Sequence, residues 1–180
     1  MIFVLSTIVL SIILFFVYSS VLFNSFGNFP IAQKNTNYIN SPFWVDMPES
    51  TIKTLIFFQI LAAIGYVIWF VKIASNPPVN GLFVNKNWLI QINILFFLAS
   101  IAWPFAAYSC VINPNSIKSS ILASFCLCVA AFAMILLLAG TFEAKYENPI
   151  ALVGILMTSV TVVLIDGVGW SALAINRSAY

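Results

Sequence analysis

Ile117-Lys-Ser-Ser-Ile-Leu-Ala-Ser-Phe-Cys-Leu-Cys-Val-Ala-Ala-Phe-Ala-Met-Ile-Leu-Leu-Leu-Ala-Gly-Thr-Phe142 carries a charge at Lys118 and then none until Glu143. A hydrocarbon layer about 30 Å thick is crossed by about 20 helical residues. This stretch is long enough and apolar enough to cross it. Asn115-Ser116 precedes it as a helix-opening signal, and Pro114 blocks continuation from the segment before.

Four more stretches of this kind follow on reading outward. They run approximately over Ile2–Phe23, Ile52–Ala74, Trp88–Ile112 and Ile150–Ile175. Each is expected to be helical, because a lone strand in lipid would leave its backbone groups unpaired. The β-branched run Thr158-Ser-Val-Thr-Val-Val does not change that expectation, since internal hydrogen bonding outranks propensity in hydrocarbon. The fold class expected is therefore all-α: a polytopic transmembrane helical bundle of about five spans, with four or six as alternatives. The whole chain, 1–180, reads as one integral membrane domain.

Composition agrees. Of 180 residues, 62% are hydrophobic and 7% charged, and the mean hydropathy is +1.06. Soluble domains carry roughly 25% charged residues, so too few charges are present to hydrate a globule. The seven basic and five acidic residues are scattered singly, which excludes a nucleic-acid footprint. Histidine is absent, and with it the commonest metal ligand and general base. Cys110, Cys126 and Cys128 sit in or beside apolar runs, not in loops as a disulfide framework would have them. The apolar start lacks a preceding Lys or Arg and is long for a signal sequence, so an uncleaved anchor is expected.

Punctuation marks the helix ends. Asn148-Pro149 offers an N-cap followed by proline at the first helical position. Asp46 and Glu49 read as a capping box opening an extension of the second helix. Tyr18, Phe43, Trp44, Trp69, Trp88, Tyr108, Tyr146 and Trp170 fall near proposed ends, as an interfacial aromatic belt would. The long connection, 24–51, holds aromatics that a solvated linker would not need, so it reads as an ordered interfacial loop. Lysine and arginine counts favour a cytoplasmic or matrix-side C-terminus by one charge, four against three.

Asp166 is the first candidate for chemistry. It lies roughly 6 Å past the middle of the fifth span at 1.5 Å per residue, where a carboxylate costs about 2.5–3.5 kcal/mol. Protonation, a donor or a wet cavity must offset that cost. Depth counting puts Gln59, Trp103, Ser124 and Cys128 in the same half of the bilayer, as a polar cluster centred on Asp166. The functional reading is a proton or cation site, or a ligand anchor. The blander reading is interhelical glue worth about a kilocalorie or less. Pro104 should kink the third helix, and Gly167 and Gly169 permit close approach or local unwinding, so all three are candidate hinges. Gln91 and Asn93 read as interhelical hydrogen bonders. Two stripes of small residues, Ala102-Ala106-Cys110 and Ala123-Ser124-Cys128-Ala130-Ala131, read as close-packing faces.

Enzyme motifs are absent from the sequence: it holds no P-loop, G-x-S-x-G, H-E-x-x-H or dinucleotide fingerprint. The chain is expected not to be an enzyme, and no cofactor or metal is implied. The first functional expectation is a non-catalytic structural or assembly subunit of a membrane complex. Its partners would be membrane lipids and other transmembrane subunits or further copies of itself, with no nucleic acid. The rivals are a small channel, carrier or proton-conducting protein using Asp166, and a lipid-binding or lipid-modifying protein with a pocket near Trp103.

Overall fold

The computed structural model describes residues 2–23, 48–75, 86–112, 116–143 and 149–172. They form five helices, and no strand occurs among them. The helices are α1 (Ile2–Phe23), α2 (Glu49–Ser75), α3 (Lys86–Ile112), α4 (Ile117–Glu143) and α5 (Pro149–Ser159), the last continuing as a π-helical segment over Val160–Trp170. All five are long and apolar enough to cross a membrane. The molecule is an all-α bundle.

Helix starts follow local chemistry. The Ser116 hydroxyl accepts from the Ser119 N–H at 3.4 Å, capping α4. Pro149 is the first residue of α5, where its missing N–H leaves no partner unsatisfied. The second helix starts at Glu49, three residues before the apolar run. The Ile52 N–H donates to the Pro48 carbonyl at 3.1 Å, and Glu49 pairs with Lys53 one turn on at 2.6 Å. Residues 49–51, drawn at the end of the long connection, are therefore helical, as an extension of the second helix opened near Glu49 has them. The rest of the long connection, with Asp46 of the capping box and Phe43 and Trp44 of the belt, lies outside the described residues. So do Tyr146 and residues 173–175 of the fifth span.

The near half of the bundle is the half in which α1 begins, and the far half is the one toward which it runs. At the centre, α4 packs against α3 on one side and against α5 with its π segment on the other; α2 lies on α5, and α1 on α3. Between lipid-bathed helices apolar burial gives little net drive, because lipid is as apolar as a leucine. Close approach and hydrogen bonds decide instead. The exposed aliphatic and aromatic faces, such as Leu5, Ile12 and Phe16 on α1, are what a lipid-facing surface requires.

The α2–α5 crossing shows both devices. Gly65 and Gly154 meet backbone to backbone, and a Cβ on either would strike the other helix. One turn along, the Thr158 hydroxyl donates to the Ala62 carbonyl at 3.0 Å, sharing its bond with the Gly154 carbonyl at 3.2 Å. A further turn on, the Thr161 hydroxyl donates to the Phe58 carbonyl at 3.1 Å. These pairs run in opposite senses along the two helices, so α2 and α5 are antiparallel.

A second set of ties occupies the near half. The Tyr66 hydroxyl donates to Asn93 Oδ1, and Asn93 Nδ2 donates to Thr7 Oγ1 at 2.8 Å, joining α2, α3 and α1. Trp69 Nε1 donates to Thr141 Oγ1 at 2.8 Å, joining α2 to α4. Asn93 is thus an interhelical bonder, whereas Gln91 is exposed. Trp69, expected in the interfacial belt, is instead wholly buried and packs against Phe3 and Tyr66. Its indole N–H has found an internal acceptor, so it needs no headgroup. Of the small-residue stripes, Ala106, Ala123, Ser124, Ala130 and Ala131 are buried, but Ala102 and Cys128 are exposed. The buried line of α4 passes through Ser120, Ser124, Leu127, Ala131 and Met134, which leaves Cys128 on its edge.

Candidate functional site

The far half of the bundle is built around Trp103. Its indole sits in an apolar cluster with Ile52, Ala107, Ala123 and Leu127. The Tyr18 ring of α1 packs on it at 5.7 Å, and the Trp170 ring meets it edge-on at 5.2 Å. Tyr18, Trp103 and Trp170 therefore tie α1, α3 and the end of the fifth helix together by ring contact. Pro104 is buried beside Trp103, and α3 continues through it to Ile112.

Asp166 stands on the π segment, one turn before Trp170, and is partly exposed. Its carboxyl lies within electrostatic range of the Tyr18 phenol. The winding around it has a local cause. The β-branched residues Val160, Thr161, Val162, Val163 and Ile165 crowd an α-helical turn. Immediately before them the Ser159 hydroxyl bonds the Ile155 carbonyl at 2.7 Å, and Thr158 bonds Gly154, so side chains compete for the ladder's acceptors. At the far end the Ser171 N–H bonds the Val168 carbonyl three residues back, so the wide helix tightens abruptly. Gly167 lets this segment close on α4: a Cβ there would come within 3.0 Å of the Ala131 Cβ. Gly169 looks only onto the Leu164 carbonyl, at 3.5 Å. Such widened turns are rare and concentrate at functional sites.

The helix registers sort the residues that depth counting grouped. Thr161 stands opposite Phe58, so Gln59 lies about 9 Å, more than a turn and a half, from the level of Asp166 along the axis; Gln59 is half-buried. Gly167 stands opposite Leu127 and Ala131, so Ser171, four residues on, is level with Ser124 on antiparallel α4. Both serines are buried, at 7% exposure each, and neither hydroxyl has a hydrogen-bond partner. Cys128 faces outward. Asp166, Trp103 and Ser124 thus belong to one region of the far half, with Tyr18, Trp170 and Ser171 joining them. Ser171 could have been found by counting: it follows Asp166 by one wide turn and shares its depth with Ser124.

An open groove of about 550 Å³ runs between the outer sides of α4 and α5, lined by Ile135, Leu138, Ala139, Phe142, Glu143 and Leu156. Phe142 and Glu143 close α4 in the near half, so this groove lies at the opposite end of the bundle from Trp103. Cys110, Cys126 and Cys128 form no disulfide. No family model, no curated protein and no solved structure matches the chain.

Proposed function

We propose that this protein is a non-catalytic, membrane-embedded structural or assembly subunit, acting through helix-to-helix contacts with other transmembrane subunits or further copies of itself. The observation that carries this reading is where the interior polar groups are spent. Thr7, Tyr66, Asn93, Trp69, Thr141, Thr158 and Thr161 all hydrogen-bond across helices and so tie each of the five to a neighbour. Bonds of this kind are worth about 0.6 kcal/mol each in lipid, and up to about 2. Their number supports a rigid scaffold, in which side chains hold geometry instead of meeting a substrate. Peripheral α1, which packs mainly on α3 and turns an apolar face outward, suits a helix that also meets lipid or a partner span. A cytoplasmic or matrix-side C-terminus accompanies the proposal, on the lysine and arginine count.

Native mass spectrometry after extraction in mild detergent tests it. The expected result is a fixed stoichiometry with other membrane proteins, unchanged in Asp166→Asn, because asparagine keeps hydrogen-bonding capacity. A lone homo-oligomer that carries ions across vesicles, and stops doing so in Asp166→Asn, would overturn it.

A further inference from the structure

Ile135, Leu138, Ala139 and Phe142 follow one another along α4 close to its three- and four-residue repeat, so they form a single stripe. With Glu143 at the end of α4 and Leu156 on α5, they line the open groove of about 550 Å³ in the near half. Ile135, Phe142 and Leu156 are exposed along it, and half-buried Ala139 contributes only a methyl group, which leaves room between the larger side chains. Eight residues separate Ile135 from Glu143, and seven separate Pro149 from Leu156. That makes about 10–12 Å along either helix at 1.5 Å per residue. One leaflet contributes about 15 Å of a hydrocarbon core about 30 Å thick. The groove therefore occupies most of one leaflet and stops before the other. One turn beyond Ile135, Ala131 of α4 meets Gly167 of the fifth helix, so there the two helices have closed.

We propose that this groove binds one phospholipid of the near leaflet, with an acyl chain along the α4 stripe and a primary ammonium headgroup against the Glu143 carboxylate. The groove's length selects the occupant. A partner span crosses both leaflets and would call for a face that continues past Ile135, whereas an acyl chain ends within its own leaflet. The chain alone gives no selectivity, because it exchanges one apolar surround for another. Selection falls to the headgroup. Glu143 is the one charged residue lining the groove, and it stands at the end of α4, where a span meets the headgroups. The sequence that follows adds Lys145 and Glu147, two acids against one base, so the stretch 143–147 is acidic in sum. An anionic headgroup is repelled there. A primary ammonium brings a positive charge and three N–H donors to a carboxylate that only accepts. A quaternary ammonium brings the charge without the donors. An ethanolamine headgroup is therefore favoured over choline, and choline over anionic phosphatidylglycerol. The site does not depend on the subunit reading, since it is built within one chain.

Native mass spectrometry tests it on the full chain, reconstituted in vesicles of equal parts phosphatidylethanolamine, phosphatidylcholine and phosphatidylglycerol and then gently extracted. The expected result is one retained phospholipid per chain. Phosphatidylethanolamine should be enriched roughly two- to fivefold over the others, the selectivity that an interfacial ion pair supplies. Glu143→Gln should keep the lipid and lose the enrichment. Ala139→Trp should fill the groove and lose the lipid, with its helical circular dichroism as the control for folding and Ala139→Leu as the smaller second filler. No retained lipid, retained lipids in the proportions of the vesicle, or retention unchanged in both Ala139 variants would each overturn the proposal. So would a dimer that Ala139→Trp breaks, which would put a second copy of the chain in the groove.

Discussion

Gly65 on α2 and Gly154 on α5 face each other so closely that a Cβ on either would lie 2.5 Å from the other's carbonyl oxygen. The next neighbours are nearly as close. A Cβ on Gly65 would also meet the Met157 Cβ at 2.7 Å, and one on Gly154 the Trp69 backbone nitrogen at 2.8 Å. These obstacles are backbone or the root of a side chain, so no rotamer change relieves them. Gly65→Ala or Gly154→Ala must push the helices apart, at a cost of about 1–3 kcal/mol. Unfolding by SDS titration in mixed micelles should show that loss for each variant. The double variant should lose less than the sum, because the first methyl already opens the crossing.

Thr158 and Thr161 hold the same crossing by hydrogen bonds to Ala62 and Phe58. Valine keeps the shape and removes the donor. Each of Thr158→Val and Thr161→Val should cost about 0.5–1 kcal/mol, the ordinary worth of such bonds in lipid. Hydrogen exchange in α2 near Phe58 and Ala62 should speed up with no global unfolding. Unchanged exchange in both variants would remove these bonds from the account of the crossing.

Asn93 is the hinge of the near-half network, accepting from Tyr66 and donating to Thr7. Asn93→Leu strands two buried hydroxyls and should cost about 1–3 kcal/mol. Tyr66→Phe strands one acceptor and should cost less. A double-mutant cycle between Tyr66→Phe and Asn93→Leu should therefore reveal a coupling of about 0.5 kcal/mol or more. Additive losses would mean that the bond contributes nothing.

Ser124 and Cys128 lie one turn apart on α4 yet differ in exposure, the first buried and the second facing out. With Cys110 and Cys126 changed to serine, a nitroxide on Cys128 should collide freely with dissolved oxygen. A nitroxide on a cysteine placed at 124 should be shielded and immobile. Equal collision rates would place the α4 interface elsewhere.

The five helices were legible because hydrocarbon thickness is a blunt requirement that long uncharged runs meet or miss. Ser116 and Pro149 marked their helix starts because capping chemistry is local. The beginning of α2 was harder to place, since Glu49 and Lys53 supply an exposed ion pair that hydropathy does not register. The π segment was not legible. It arises from β-branched crowding and hydroxyl competition, which the sequence shows only as a strand-like composition. Nor did depth counting resolve the far-half site. Counting residues from helix ends gives a layer but no azimuth, so it grouped Gln59 and Cys128 with Asp166 and passed over Tyr18, Trp170 and Ser171. Thr7 and Tyr66 were passed over for a related reason: in an apolar run a hydroxyl's partner is set by how helices cross.

The account rests on lipid being the medium around the exposed faces of α1 and α2, where Leu5, Phe16, Phe57 and Val67 point away from the bundle. Alkaline carbonate extraction of membranes holding the full chain tests this most directly. The protein should stay wholly in the membrane pellet and leave it only in detergent. Release into the carbonate supernatant would mean that other protein surrounds these faces, and the bundle would then have to be read as the core of a soluble assembly.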